Sequence, residues 1–170
     1  EARMRDSEER YRSLVELSPD AIMVHSEGVC RYVNPAGVKL FGAASAGELI
    51  NRTVMDLTPP GRREAVAMRT GLIHEGVVTP LTESQILRVD GRSVDIESTE
   101  TSTLYEGRPA VQAFIRDISE RKQTEKKIEH LASFPKLNPN PVLEVDARGN
   151  VTFMNEATSA LLGRLGRGGD

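Results

Sequence analysis

The amino-acid sequence predicts an α+β protein in which short antiparallel strands and helices are mixed along a chain of 170 residues. Three observations lead to this prediction. Alternating or apolar runs are joined by turns at Glu27-Gly28, Asp90-Gly91 and Glu106-Gly107, where glycine can adopt the positive φ that a hairpin needs. Proline follows Asn34 and Thr58, which are residue types typical of helix starts. Charged amphipathic segments flank the whole pattern.

Part of this pattern occurs a second time near the C-terminus. Asn34-Pro35-Ala36 returns as Asn155-Glu156-Ala157, and Leu40-Phe41-Gly42 returns as Leu161-Leu162-Gly163. We therefore expect one complete module followed by the start of a second. The expected segments are an N-terminal amphipathic helix over 1–17, a module over 18–118, a charged linker helix over 119–135 and a truncated second module over 136–170.

Composition restricts the possible partners and location. A net charge of −3, with acidic and basic residues interspersed, provides no polybasic stripe for a phosphate backbone, so we expect no nucleic-acid partner. Apolar runs are far shorter than the roughly 20 residues that span a bilayer. We therefore expect a cytoplasmic module without direct membrane contact, in a parent protein that could itself be membrane-anchored. A single cysteine, Cys30, excludes an internal disulfide and a cysteine-based zinc site.

The first elements are a helix and a hairpin. Residues 5–17 predict an amphipathic helix that ends at Ser18-Pro19. The apolar runs over 21–25 and 29–33 predict two strands around the first glycine turn. The apolar positions of the helix are Tyr11, Leu14, Val15 and Leu17.

Helix starts follow the hairpin. Asn34 is interpreted as a helix cap, because its side chain can accept a hydrogen bond from a backbone N–H that has no partner within the helix. Pro35 suits the next position, since proline needs no donor there. Thr58-Pro59 predicts the start of a longer helix that ends near Gly76.

Three strands and a linker complete the module. Residues 81–89, 93–104 and 110–116 predict antiparallel strands. The polar run over 97–103 is interpreted as a solvated strand end beyond the helix-covered core. Asp117 and Glu120 have capping-box spacing, so a charged helix should begin directly after the last strand and end before Pro135.

Two motifs stand at the ends of this element order. Asn34-Pro35-Ala36 follows the first hairpin, and Asp117-Ile118-Ser119 lies where the last strand meets the linker helix. Together with the element order, they resemble the PAS family of sensory modules over residues 18–122 and again over 138–163. The resemblance implies a five-stranded antiparallel sheet with helices over one face, flanked by N- and C-terminal amphipathic helices. It also implies signal transfer through Asp117, Ile118 and Ser119, and a homodimer paired through the flanking helices.

Departures from the family disfavour two cofactors. Family members that bind flavin covalently place a reactive cysteine at a helix start, whereas Cys30 falls on the second strand. Haem-binding members have an axial histidine on the long helix, and the corresponding position here is close to Ala65. His25, His74 and His130 lack the spacing of metal ligands, so no metal site is expected. With few aromatic residues available, any ligand is expected to be a small organic molecule, apolar or weakly acidic.

Two functions remain open. In the first, the module is a ligand-responsive sensor whose cavity acts on the linker helix; in the second, it is an unliganded dimerisation and relay module. No serine elbow, phosphate loop or carboxylate pair indicates catalysis, so this fragment is not expected to be an enzyme. We expect adjacent PAS and output domains in a parent sensor histidine kinase, with a cyclic-dinucleotide enzyme or transcription regulator as the alternative. The candidate cavity residues are Met23, Met55, Met68, Ile73, Ile86, Ile96 and Phe114.

Overall fold

The computed structural model describes residues 9–10, 12–74 and 78–166. The chain divides into two compact units, residues 1–119 and 120–170, and each is described by itself. Residues 12–16 are helical, within the predicted N-terminal helix. Tyr11 and the expected helix end at Gly76 lie outside the described residues.

A five-stranded antiparallel sheet organises the first unit, as predicted. Its strands are β1 (Ala21–Ser26), β2 (Val29–Val33), β3 (Thr82–Leu87), β4 (Ser93–Tyr105) and β5 (Arg108–Asp117). The strand order is β2-β1-β5-β4-β3, so the first strand pairs with the last one. The centre of the sheet therefore joins the two ends of the module.

Short helices follow β2 and pack on one face of the sheet. They are α1 (Pro35–Phe41), α2 (Ala46–Leu49) and α3 (Arg63–His74), with a 3₁₀ turn over Pro60–Arg62 before α3. The predicted helix start at Thr58-Pro59 is too early. Pro59 has φ −55° and ψ 141°, because the ring of Pro60 disfavours helical dihedrals at the preceding residue. The α-helix consequently begins only at Arg63.

The core lies between these helices and the inner face of the sheet. Met23, Ile96 and Ala113 alternate with outward-facing residues on their strands and are at most 5% exposed. They pack in one cluster with Phe41 and Leu49 from the helices. Burying a Met, Ile, Leu or Phe side chain contributes about 1.5–3 kcal/mol, so this cluster is the main source of the unit's stability.

The N-terminal helical residues lie against the opposite face of the sheet. Val15 and Glu16 line a surface depression together with Ile22 and Val24 of β1. The Tyr32 hydroxyl donates a hydrogen bond to Glu16 Oε1 at 3.2 Å. Ile22 and Val24 are only 5% and 8% exposed. The sheet thus buries apolar side chains on both faces near β1.

The Asn34 side chain joins four segments of the first unit. Its Oδ1 accepts hydrogen bonds from Ile22 N and Gly37 N, both at 2.9 Å. Its Nδ2 donates to the carbonyls of Val15 and Asp20, both at 3.0 Å. The residue is fully buried and stands at the N-cap of α1. Since every amide position has a partner, this buried polar group carries no desolvation penalty for a missing bond.

The second unit repeats this arrangement on its own hairpin and helix. It contains β6 (Leu143–Val145), β7 (Val151–Met154) and α5 (Glu156–Leu165) after the linker helix α4 (Ser119–Leu137). Asn155 caps α5: its Oδ1 accepts from Val142 N and Thr158 N, and its Nδ2 donates to the carbonyls of Asn138 and Asn140. The sequence repeat is therefore a structural repeat of hairpin, asparagine cap and helix.

The linker helix continues past Pro135, contrary to the prediction that it ends before this residue. Proline removes one backbone donor and crowds the carbonyl four residues earlier. Because α4 ends at Leu137, these effects fall in its last turn, where few further hydrogen bonds depend on the helical geometry.

Replacing Asn34 should destabilise the first unit strongly. Asn34→Ala leaves Ile22 N and Gly37 N without this partner in a buried place and removes one of two hydrogen bonds at each of two carbonyls, so we expect a loss of roughly 2–4 kcal/mol in the free energy of unfolding. Denaturant titration followed by circular dichroism measures it. The matched variant Asn155→Ala should leave hydrogen-exchange protection of the first unit unchanged. A loss below about 0.5 kcal/mol for Asn34→Ala would contradict the assigned role.

Cys30 is a buried core residue of β2. It is fully buried, and its Sγ donates to the Tyr32 carbonyl at 3.7 Å. Desolvation raises the pKa of the thiol to about 11. At neutral pH the group is therefore a protonated thiol within the apolar cluster.

The Cys30 thiol should resist alkylation in the folded protein. Only the thiolate reacts, so at pH 8 we expect labelling by iodoacetamide to be roughly 100-fold slower than in the unfolded chain. Mass spectrometry reports the site directly, because the chain has one cysteine. The control is the same sample in guanidinium chloride. Similar rates in the two samples would place the thiol at the surface.

Candidate functional site

A cavity of about 50 Å³ lies between the inner face of the sheet and the helices. Most of its wall is apolar, but one part carries polar side chains from β1, β4 and α3. The lining residues used below are Met23, His25, Arg69, Ile96, Ser98 and Glu100.

The structure divides the predicted cavity residues into three groups. Met23, Ile86 and Ile96 line the cavity. Met55 is half-buried and Ile73 is fully buried, and both stand outside its lining.

Met68 and Phe114 are exposed by 70% and 38%, so their predicted place in the interior is wrong. Phe114 lies between Ala113 and Ile115, whose side chains face the core, and strand alternation turns it outward. Met68 lies about 200° around α3 from Val66, so it is on the side away from the buried face that Val66 and Ile73 mark.

A buried ion pair forms the polar part of the cavity wall. Arg69 of α3 donates two hydrogen bonds to Glu100 Oε1, from Nε at 3.1 Å and from Nη2 at 2.7 Å. Thr79 fixes the backbone of Glu100: its Oγ1 accepts from Glu100 N at 2.9 Å, and its N–H donates to the Glu100 carbonyl at 3.2 Å. The pair is therefore held by both side-chain and main-chain contacts.

Two buried oxygens of β4, on residues that line this cavity, have no hydrogen-bond partner among the described residues. They are Glu100 Oε2 and Ser98 Oγ. Glu100 is 7% exposed and Ser98 is 3% exposed. His25, 4% exposed, lines the same cavity.

The prediction that residues 97–103 are a solvated strand end is wrong for Glu97, Ser98 and Glu100, which are buried. β4 is 13 residues long, and α3 covers part of this region through the Arg69–Glu100 pair. The signal for the site was present as alternation: Ile96, Ser98 and Glu100 occupy the same face of the strand.

The junction between β5 and α4 is fixed by backbone and side-chain bonds. Asp117 still pairs with Ile96 in the sheet, and Ile118 N donates to the Asp95 carbonyl at 3.0 Å. Asp117 Oδ1 accepts from Ser119 N at 2.8 Å. Asp117 was predicted to be the residue that caps the helix together with Glu120. In the structure Asp117 is the last residue of β5, one position before the cap. Ile118, 3% exposed, stands between Asp117 and the first residue of α4.

An ion pair holds the same end of β5 to the segment before β1. Arg116 Nε and Nη2 donate to Asp20 Oδ1 and Oδ2 at 2.9 and 2.8 Å. The Arg116 hydrogen bonds lower the pKa of Asp20, and desolvation partly opposes them. The stabilisation from this pair is present above the ordinary aspartate pKa and is lost as the pH falls through the lowered value.

Within the described ranges, no group of three or more His, Cys, Asp or Glu side chains is placed to hold a metal ion. None of the described helices combines the length and the apolar character that a membrane span requires. Ala65, near the expected haem-ligand position, is exposed.

Comparison with known proteins agrees with this architecture. Sporulation kinase A of Bacillus subtilis is 35% identical over 127 residues, covering 72% of this chain and 20% of the kinase. The chain thus spans about a fifth of the length of the curated relatives that it matches.

Solved structures are also similar to this chain. The PAS domain of an HTR-like protein from Haloarcula marismortui superposes with a TM-score of 0.56 and 25% identity, over 69% of this chain and 96% of that one. A PAS domain from Colwellia psychrerythraea gives 0.59 and 24%, over 68% and 100%. The family model for the PAS fold matches residues 9–118. This match spans more than half of the sequence, and the chain therefore belongs to the PAS family.

Proposed function

We propose that this chain is the sensory input module of a sensor histidine kinase, in which a small molecule in the cavity acts on the linker helix. One observation carries the proposal: Ile96 lines the cavity and is also the register partner of Asp117 at the β5–α4 junction. The proposed ligand cavity is therefore one strand pairing away from the start of the linker helix. The similarity to Sporulation kinase A supports the kinase class.

The mechanism follows from the contacts at this junction. Ile118 and Ser119 are fixed by bonds to Asp95 and Asp117, which flank Ile96 in space. A ligand that shifts Ile96 therefore changes the relative free energy of the junction conformations. Such a ligand shifts their populations only by its difference in affinity for them, which is the thermodynamic basis of a sensor.

The cavity size supports a small organic ligand rather than a large cofactor. A cavity of about 150 Å³ holds one benzene molecule, and the cavity here has about a third of that volume. Haem and flavin are much larger than benzene. Cys30 also lies on a strand and is fully buried, which does not suit a flavin adduct.

The alternative function is an unliganded dimerisation and relay module. Such a module stabilises the assembly and passes on a signal that is sensed elsewhere in the parent protein. Apolar side chains on α4 favour a homodimer in either case, and adjacent PAS and output domains would then follow the paired helices. Four of them recur at three-residue intervals and are 61–80% exposed: Ile128, Leu131, Phe134 and Leu137. At 100° per residue, neighbouring members of this set lie about 60° apart around α4, so they form a stripe that winds about half-way around the helix. A second helix that covers adjacent members such as Leu131 and Phe134 stabilises it.

Asp117→Ala in the full-length parent protein tests the relay. Loss of the bond to Ser119 N should fray the start of α4 at a cost of about 0.5–2 kcal/mol, which changes a two-state population several-fold. We expect autophosphorylation to change by a similar factor, while the thermal midpoint of the first unit stays nearly constant. Asp90→Ala, in the β3–β4 turn, is the control. Wild-type output from Asp117→Ala would remove this residue from the mechanism.

Leu131→Glu tests the dimer. A charge within the apolar stripe should shift the mass measured by light scattering from dimer to monomer, because an interface cannot cover an unpaired carboxylate without a large cost. Lys136→Glu, an exposed position about 140° from Leu131 and about 160° from Phe134 around α4, should leave the mass unchanged. A wild-type chain that is monomeric at high micromolar concentration would contradict the proposal.

A further inference from the structure

We propose that the N-terminal helical segment is a second input to the linker helix, and that Arg116 is the positioning residue that couples the two. The route between them is a series of hydrogen bonds within the first unit, from Val15 to Ser119. None of the residues on this route lines the cavity between the sheet and the helices. The inference therefore goes beyond the ligand-driven function proposed above, because it requires no ligand.

The route begins where the N-terminal helical segment ends. Asn34 Nδ2 donates to the carbonyl of Val15 and to the carbonyl of Asp20, both at 3.0 Å. Ser18 adds a second link, since its Oγ donates to the Asp20 carbonyl at 3.1 Å and accepts from Asp20 N at 3.2 Å. The backbone of Asp20 is therefore tied to the end of the helical segment, and a change in that segment acts on Asp20.

Arg116 continues the route from Asp20 to the last strand. Its Nε and Nη2 donate to the two carboxylate oxygens of Asp20 at 2.9 and 2.8 Å, a two-bond arrangement that fixes orientation as well as distance. Its Nη1 donates to Glu97 Oε1 of β4 at 3.4 Å. One guanidinium thus joins the segment before β1 to β4 and to the end of β5.

The exposure of this ion pair favours a positioning role over a stabilising one. The side chains of Arg116 and Asp20 are 61% and 31% exposed. Ion pairs that are open to solvent contribute little to the free energy of unfolding, whereas two parallel hydrogen bonds still add geometric specificity. Loss of the pair should therefore change the direction of the β5 end more than the stability of the core.

The output end of the route is the next residue along the chain. Asp117 follows Arg116 directly, and its Oδ1 accepts from Ser119 N, at the first residue of α4, at 2.8 Å. This bond depends on the direction in which the end of β5 runs, and the Arg116 pair fixes that direction from the side of Asp20. A contiguous set of contacts with alternative arrangements is the physical means by which one site changes another. The N-terminal segment and the start of α4 are connected in this way.

A thermodynamic cycle on the 170-residue chain tests the coupling. Leu17→Pro removes the donor of the hydrogen bond from Leu17 N to the Ser13 carbonyl, and it does so at a side chain that is 82% exposed. Hydrogen exchange followed by NMR measures the protection of the backbone amides over residues 123–126 of α4. We expect Leu17→Pro to lower this protection by about two- to tenfold in the wild-type chain, and to have no further effect in Arg116→Gln. Leu17→Ala, which keeps the N–H, is the control.

Further variants separate geometry from charge. Asp20→Asn should have the same effect as Arg116→Gln, and the double variant should add nothing, because the two side chains act through one pair of bonds. Arg116→Lys keeps the charge and loses the planar fork, so it should restore only part of the protection. If Arg116→Gln does not fold, as judged by its thermal transition, Asp20→Asn takes its place in the cycle.

The matched control is a second arginine–aspartate pair that lies away from the route. In the β3–β4 turn, Arg92 Nε and Nη2 donate to Asp90 Oδ2 at 3.0 and 2.7 Å. The double variant Asp90→Asn, Arg92→Gln should leave the protection of α4 unchanged, and it should leave the response to Leu17→Pro unchanged as well.

The outcomes separate this route from the ligand-driven function. An effect of Leu17→Pro that persists in full in Arg116→Gln and in Asp20→Asn overturns the role of the pair. No effect of Leu17→Pro in the wild-type chain overturns the second input itself. If Asp117→Ala still alters kinase output in either case, the ligand-driven function stands without this route. If the coupling is measured and Asp117→Ala leaves kinase output unchanged, the route holds and the sensor mechanism proposed above fails.

Discussion

The first unit depends on one buried amide. Asn34 is bonded to the end of the N-terminal helical segment, to the loop before β1, to β1 itself and to α1. The two N–H donors, Ile22 N and Gly37 N, lie at the starts of β1 and α1, where regular secondary structure leaves donors without a partner. A side chain with two donors and two acceptors bonds to all four segments at once. The position and direction of four segments are therefore coupled.

The backbone of α1 packs closely around this amide at Gly37. At Gly37, an added Cβ would overlap the side chain of Val33 and approach Asn34 Oδ1. In the second unit the corresponding residue is Thr158, whose hydroxyl donates to the Val142 carbonyl or Asn155 Oδ1 at 2.8 Å. The two copies thus keep the asparagine and satisfy its surroundings differently, one through close backbone approach and the other through an extra hydroxyl.

Pairing of β1 with β5 gives the fold its functional geometry. It places the strand that ends at the linker helix in the middle of the sheet, between the cavity-lining residues of β1 and β4. The Asp20–Arg116 ion pair and the buried Ile118 hold the same end of β5. The Arg69–Glu100 pair joins α3 to β4 beside this strand, at side-chain exposures of 18% and 8%.

The sequence by itself determined the antiparallel α+β class, the order of the elements, the asparagine cap and its repetition. These depend on local chemistry: glycine at positive φ, proline at helix starts and alternation along strands. It also indicated Met23, Ile86 and Ile96 as interior. Only the tertiary structure decided that Phe114 faces outward while Ser98 and Glu100 line the cavity, since the buried side of each strand depends on which face α3 and its neighbours cover. The Arg69–Glu100 pair joins residues that are 31 positions apart, and no local pattern could bring them together before the sheet had formed.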